Sequence, residues 1–350
     1  MLSRPSIRRI LARIIGPCRL LLAVVLLIWL LSQITRDQWR LISNGLDLRL
    51  LLVSILLTAT ALAMNFIRWR VLLRGESVAI DLASAMQYGC IGYASGFLSI
   101  GSLGGDVLKA TLLSRARHGQ LRQVFFATAM DRLIGLYSLT ILTSIAFLGL
   151  DILSAEPRPR VLTALGWGAS IAVVAGGILL YVISNGPRRI GHAFTQRQCR
   201  NQTEQNVRDR NQSQVSKDRR PGFFGALLLS LLSQALVIAS VFVIAKAIHR
   251  TVAIPSIVEH FVIVPSGLLA AAIPVSPGGV GVFEASLEWM YEASTVTDTP
   301  PSGTLVGLTF NLVKIALAAV ALLVYFSSQK SAGSSTRRMN SRCENQYFDT

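Results

Sequence analysis

Residues 257–291 read IVEHFVIVPSGLLAAAIPVSPGGVGVFEASLEWMY. The stretch is apolar enough for a membrane, yet Pro265, Pro274 and Pro277 interrupt it, as do Gly278, Gly279 and Gly281. Proline removes a backbone donor, and glycine spends conformational entropy in a helix interior. Non-helical backbone survives at membrane depth only where protein buries it or water reaches it. The segment therefore reads as a re-entrant hairpin, and two short spans would give the same topology. A second broken stretch, 83–105, reads ASAMQYGCIGYASGFLSIGSLGG and is interpreted in the same way.

Outward from these breaks the chain is continuous and greasy. A spanning helix needs roughly 20 mostly apolar residues. Six segments meet that need, at about 14–34, 50–67, 123–150, 161–183, 223–248 and 304–326. The expected fold is an all-α polytopic membrane protein with six full spans and two broken hairpins, eight or more membrane segments in all. Composition agrees. The 350 residues are 52% hydrophobic and only 15% charged, with a mean hydropathy of +0.52. A soluble domain carries roughly 25% charged residues, and a basic nucleic-acid-binding chain is poor in apolar ones. The apolar run Leu20–Leu31 leads into Ser-Gln-Ile-Thr-Arg with no small-x-small cleavage pattern. It is read as an uncleaved first span rather than a signal peptide.

The net charge of +16 then becomes topological information. With the N-terminus inside and six alternating spans, the cytoplasmic pieces are 1–19, 68–82, 106–122, 184–222 and 327–350. They hold 25 of the 34 Lys and Arg residues, the external pieces hold 6, and 3 remain at membrane depth or its edge. This is the positive-inside asymmetry. It places both termini in the cytoplasm of the inner cell membrane and makes a nucleic-acid partner unnecessary. Within this plan 1–19 is a basic terminus, 20–150 and 161–326 are two membrane halves, and 327–350 is a disordered tail. The polar stretch 184–222 lacks periodicity and reads as a flexible linker. Its sequons at Asn201 and Asn211 lie on the expected inner face, so chance is favoured over glycosylation. Each half has two spans, a broken hairpin and one span. Three spans per half insert the halves upside down, an inverted repeat. Ser102-Leu103-Gly104-Gly105 echoes Ser276-Pro277-Gly278-Gly279. Paired interrupted segments of inverted halves are the best sequence pointer to a transporter's substrate site.

A charge at the bilayer centre costs about 2.5–3.5 kcal/mol on insertion scales, so charges there are the first functional candidates. Asp131 and Arg132 lie in the third span, and Lys314 lies in the sixth with Asn311 on the same face. Glu284 and Glu288 follow the Pro-Gly-Gly break on one helical face, where one is expected to be protonated or to face the outer interface. Adjacent Asp131 and Arg132 point about 100° apart on a helix, so each needs its own partner. Ion pairs that lock helices together are the competing reading. Lys246 reads as a snorkelling anchor and His260 as a hydrogen-bonding residue. Gly104-Gly105 and Gly278-Gly279 each precede a helical pattern whose N-terminus would attract an anion, although Asp106 is expected to cap the first. Lys109, Arg115 and Arg117 read as a basic inner-surface segment suited to anionic headgroups, or as ordinary anchoring. No Walker-type phosphate loop occurs, and the four cysteines have no metal or redox spacing. No cofactor is implied.

The stretch 101–139, GSLGGDVLKATLLSRARHGQLRQVFFATAMDRLIGLYSL, resembles the membrane region of lysylphosphatidylglycerol synthases and their stand-alone, flippase-like relatives. Gly105, Asp106, Lys109, Asp131 and Arg132 match that family's ordered motif. The later Pro-x-Ser-Pro-Gly-Gly-x-Gly-x-x-Glu of 274–284 resembles its second signature. The first break lacks the usual proline, and Asp131 stands where Glu is common. The resemblance implies a domain that binds or translocates lipid, with partners among anionic or aminoacylated phospholipids or glycolipids. In the full synthases a cytosolic domain transfers an aminoacyl group. The longest cytoplasmic piece here, 184–222, is 39 residues, so that activity is not carried over and no enzyme is expected. The leading expectation is a translocase whose substrate path includes Gly104, Gly105, Asp106, Lys109, Asp131, Arg132, Ser276, Gly278, Gly279, Glu284, Asn311 and Lys314. A membrane enzyme acting on lipid or isoprenoid-linked substrates is the alternative, as is a non-catalytic assembly protein. A homo-oligomer is compatible with each.

Overall fold

The computed structural model describes residues 46–97, 103–117, 120–153, 160–185, 202–250, 252–273, 279–294, 301–323 and 325. The expected first span, 14–34, lies outside them, as do Ser276 and Gly278. Among the described residues there are nine helices and no strand. Helix α1 (Leu48–Gly75) starts where the Asp47 carboxylate accepts the Arg49 and Leu50 N–H groups, at 3.0 and 3.4 Å. Such a cap satisfies donors that the first turn cannot pair internally. Then follow α2 (Leu82–Gly96), α3 (Leu103–Ala116), α4 (Leu121–Leu153), α5 (Arg160–Asn185), α6 (Gln202–Ile248), α7 (Ile257–Ala272), α8 (Val282–Ser294) and α9 (Gly303–Leu323). Four stretches are long and apolar enough to cross a membrane: Leu48–Gly75, Leu121–Gly149, Gly222–Ile248 and Gly303–Leu323. They correspond to four of the six expected spans. The segment expected at 161–183 is helical throughout, with Thr163–Ile178 as its described apolar part.

Two differences from the expected boundaries matter. Helix α1 runs through Arg68, Arg70 and Arg74 to Gly75, although 68–82 was assigned to a cytoplasmic loop. Within 184–222, read as a linker, the backbone is already helical from Gln202. Gln, Glu, Arg and Lys are good helix formers, but without an apolar stripe they leave no period to read.

Helices α1 and α6 form the central pair, antiparallel and joined by short polar side chains. Thr58 and Ser240 share a hydrogen bond at 2.7 Å, Ser233 donates to Asn65 at 3.2 Å and Arg68 donates to Ser230 at 2.7 Å. As the α1 number climbs from 58 to 68, the α6 number falls from 240 to 230. Hydroxyl contacts of this kind average only about 0.6 kcal/mol between membrane helices, so they set register more than stability.

A helical hairpin surrounds each break, and the first extends beyond the expected 83–105, because α3 runs to Ala116 through residues assigned to a cytoplasmic piece. α2 and α3 have 15 and 14 residues, and α7 and α8 have 16 and 13. At about 1.5 Å per residue none reaches the thickness of a bilayer core. Glycines allow the close approaches. A Cβ on Gly105 would collide with the Gly92 carbonyl oxygen and lie 2.8 Å from the Gly96 nitrogen. Gly279 and Gly281 have φ of 75° and 89°, a left-handed turn into α8 that other residues adopt at a cost. On α9, Gly303 and Gly307 admit α8: a Cβ on Gly303 would come within 2.5 Å of the Leu287 carbonyl carbon. Gly105→Val should lower stability by about 1–3 kcal/mol, since the collision is with backbone rather than a movable side chain. Thermal unfolding of the solubilised protein checks this. Gly75→Ala, where a Cβ meets nothing within 4 Å, is the control expected to unfold like the wild type.

Each hairpin packs against the long helix of the other half. α4 lies along α7. α9 meets α2, where Cys90 and Ala321 share an apolar cluster and the Tyr93 hydroxyl donates to the Lys314 carbonyl at 3.3 Å. The largest core gathers Ile238, Val241 and Ile244 of α6, Val262–Val264 of α7, Phe283 and Leu287 of α8, and Phe310 of α9. A second core sits between α1, α2, α3 and α4, around Trp69, Leu73, Ala85, Leu113 and Val124.

Candidate functional site

Two polar clusters, largely buried, both touch α2 or its end, at Gly92 and at Phe97. The first joins α1, α3 and α4. The Asp131 carboxylate accepts from Arg68 at 2.7 Å and lies 3.7 Å from the Lys109 ammonium. Lys109 also pairs with Asp106 at 2.9 Å, one helical turn away, and Arg132 donates to the other Asp106 oxygen. Asp131 and Arg132 thus find separate partners, as their angular separation requires. Arg68 continues the network to Ser230, which shares a 2.6 Å hydrogen bond with Ser138. The Lys109 ammonium lies 4.9 Å from the centre of the Trp69 ring, a cation–π contact. Arg68, Lys109, Asp106 and Asp131 are buried, while the Arg132 side chain is 40% exposed. Among the described residues three cations face two carboxylates, and the exposed member of the cluster is the cation Arg132.

Several expected roles change here. Gly104 and Gly105 do not precede α3 but lie in its first turn. Gly105 is used for close packing on Gly92 and Gly96. The Asp106 carboxylate bonds Lys109 and Arg132. Lys109 does not belong to a basic inner-surface segment: it faces inward against Gly92, whereas Arg115 and Arg117 are exposed. Arg68 was missed because it was counted with a loop. The helical pattern that runs on to a glycine at 75 is the signal that could have found it.

The second cluster joins α8 and α9 with the end of α2. Glu284, buried in the first turn of α8, accepts the Gly281 N–H at 2.7 Å and the Asn311 amide. Gly307 on α9 leaves room for its stem. Asn311 is fully buried, and its Oδ1 has no hydrogen-bond partner among the described residues. One turn on, the Lys314 ammonium sits among three aromatic rings: Phe310 at 5.1 Å, Phe283 at 5.8 Å and Phe97 at 5.9 Å. No described carboxylate lies within ion-pair distance of it. Phe97 is the last described residue before the first break and Phe283 lies in the first turn of α8 after the second, so Lys314 meets a residue from beside each break.

The halves use one device twice. An acid in the first turn of the second hairpin helix bonds the long helix that follows, Asp106 to Arg132 and Glu284 to Asn311. The other polar candidates are structural. Glu288 accepts the Ser302 hydroxyl at 3.2 Å and the Thr304 N–H, closing the start of α9. His260 is buried and bridges the Ser256 carbonyl and the Tyr291 hydroxyl, at 2.9 and 2.7 Å. Lys246 is exposed and lies over Phe242. Among the described residues no group of His, Cys, Asp and Glu could hold a metal ion.

No curated protein matches the chain. The family model described as the lysylphosphatidylglycerol synthase TM region matches residues 18–321, nearly all of the membrane-forming sequence. With its apolar helices, the chain is an integral membrane protein and belongs to the lysylphosphatidylglycerol synthase transmembrane-region family.

Proposed function

We propose that the protein translocates a lipid, or a lipid-linked headgroup, between membrane leaflets, and that it does so as a transporter rather than an enzyme. The observation that carries this reading is the meeting at Lys314 of Phe97 and Phe283, which stand beside the two breaks, next to a buried amide oxygen that has no described partner. A desolvated cation held by ring faces instead of a carboxylate is poised to meet a phosphate. Arg132, the exposed cation of the first cluster, offers a separate contact for an anionic headgroup along the path. Broken helices enclosing polar groups are the form in which transporters tolerate irregular backbone near the bilayer midplane. The antiparallel pairing of α1 with α6 supports inverted halves, because a pseudo-twofold axis in the membrane plane pairs equivalent spans in that way. The short hairpin helices support re-entrant segments.

Proteoliposomes containing fluorescent phosphatidylglycerol test the proposal directly. With any required gradient supplied, the protein should expose inner-leaflet label to an external quencher faster than empty vesicles do. Equal rates would overturn translocation. Orientation has a separate test. In a variant retaining only Cys199, a membrane-impermeant maleimide should label cells only after permeabilisation. Labelling of intact cells would place 184–222 outside and invert the proposed topology.

A further inference from the structure

Beyond the membrane-depth clusters, the junction of α1 and α2 forms a cavity of about 490 Å³ against the end of α3. Three guanidinium groups line it: Arg70 and Arg74 from the last turns of α1, and Arg117 from just past α3. Asp81 is the one carboxylate in the lining, and it also caps α2 by accepting the Ser84 N–H at 3.1 Å. The wall therefore carries an excess of two positive charges. Arg70 is half-buried and pinned, its Nε donating to the Ile80 carbonyl at 3.2 Å. Arg74 and Arg117 are exposed, with no described carboxylate in ion-pair range.

The turn that shapes the cavity adds an independent observation. Ser77 has φ of 61°, the only non-glycine residue among those described with a positive φ. It follows the end of α1, where a left-handed residue is ordinarily glycine. Serine is the costlier residue there, and it places a hydroxyl on the cavity wall.

We propose that this cavity binds the phosphate of a phosphorylated headgroup, with Arg74 and Arg117 as the guanidinium clamp, Arg70 as the fixed donor and Ser77 as a hydroxyl donor. Guanidinium groups match phosphate oxygens bidentately, which a general basic surface does not achieve. The site is an open groove with more room than a bare phosphate fills, which leaves space for the rest of a headgroup. It lies where the apolar α1 ends, in reach of a lipid phosphate at the membrane surface and of a soluble phosphate ester alike.

The test is equilibrium binding by native mass spectrometry on the purified full chain, with short-chain phosphatidylglycerol, glycerol 3-phosphate and phosphate-free dioctanoylglycerol as probes. Phosphatidylglycerol should bind, and R74A/R117A should weaken it by about tenfold or more, the loss expected for charge-assisted hydrogen bonds. R115A/R122A removes the same charge from exposed positions outside the cavity and should change binding less than twofold. Lipid binding alone assigns the site to a membrane headgroup. Equal, clamp-sensitive binding of glycerol 3-phosphate assigns it to a soluble ester. Absence of binding by both phosphate probes overturns the proposal, as does equal weakening by the two double variants or clamp-sensitive binding of dioctanoylglycerol. Equilibrium retention requires no transport, so failure here and failure of translocation are separate results.

Discussion

Asp131→Ala should destabilise the protein by about 3–5 kcal/mol, the cost of leaving a buried charge without its partner. Asp131 is 5% exposed and holds both Arg68 and Lys109. Its removal raises the cluster from one excess positive charge to two. Asp106 cannot absorb the change, since it already serves Lys109 and Arg132. Arg68→Met combined with Asp131→Leu should recover more than half of the loss. The pair removes one charge of each sign, so the cluster returns to a single excess cation, and apolar replacements of buried ion pairs are often tolerated. Thermal unfolding of detergent-solubilised protein gives the comparison. A double variant no more stable than Asp131→Ala would mean that shape, not charge balance, governs the site. By contrast, Thr58→Ala at the α1–α6 seam should cost well under 1 kcal/mol, because seam hydroxyls contribute little each.

What the sequence revealed depended on whether a feature was local. The hairpins were legible because Pro274, Pro277 and the glycines at 278, 279 and 281 interrupt an apolar run in plain view. Asp131, Arg132, Glu284 and Lys314 were legible because each sits where a membrane should exclude charge. Asn311 followed from helical spacing to Lys314. Arg68 was not legible, because an apolar window stops at the first charge and so handed it to a loop. Its partners lie 63 and 162 residues away, at Asp131 and Ser230, and no periodicity connects them. Lys109 was misplaced for the same reason. A lysine near a membrane surface looks alike whether it faces headgroups or turns inward to two carboxylates. The three rings around Lys314 come from α8, from α9 and from the residue just past α2, so the sequence named the cation without showing what holds it.

Lys314→Met should cut the translocation rate by about 10- to 100-fold while leaving stability unchanged or raised. The two halves of that expectation separate function from packing. Methionine keeps most of the side-chain volume and can still contact Phe97, Phe283 and Phe310. It removes a charge that has three ring faces near it and no described carboxylate in ion-pair range. Relieving a half-buried charge of part of its desolvation cost favours the folded state, while the lost cation–π attraction, up to about 2 kcal/mol, opposes it. The two terms offset, so the melting temperature should stay near that of the wild type. Transport has no such compensation. A charge-assisted hydrogen bond to a phosphate contributes about 1.5–3 kcal/mol, which sets the expected fall in rate. Lys246→Met removes an exposed cation from over Phe242 and should leave the rate unchanged. If Lys314→Met instead transports at the wild-type rate, Lys314 is not a substrate contact and the path does not run past it. If it fails to fold, Lys314→Arg decides the matter. Arginine restores the charge and the ring contacts, so recovery of folding with most of the rate would show that the cation itself is required at this point.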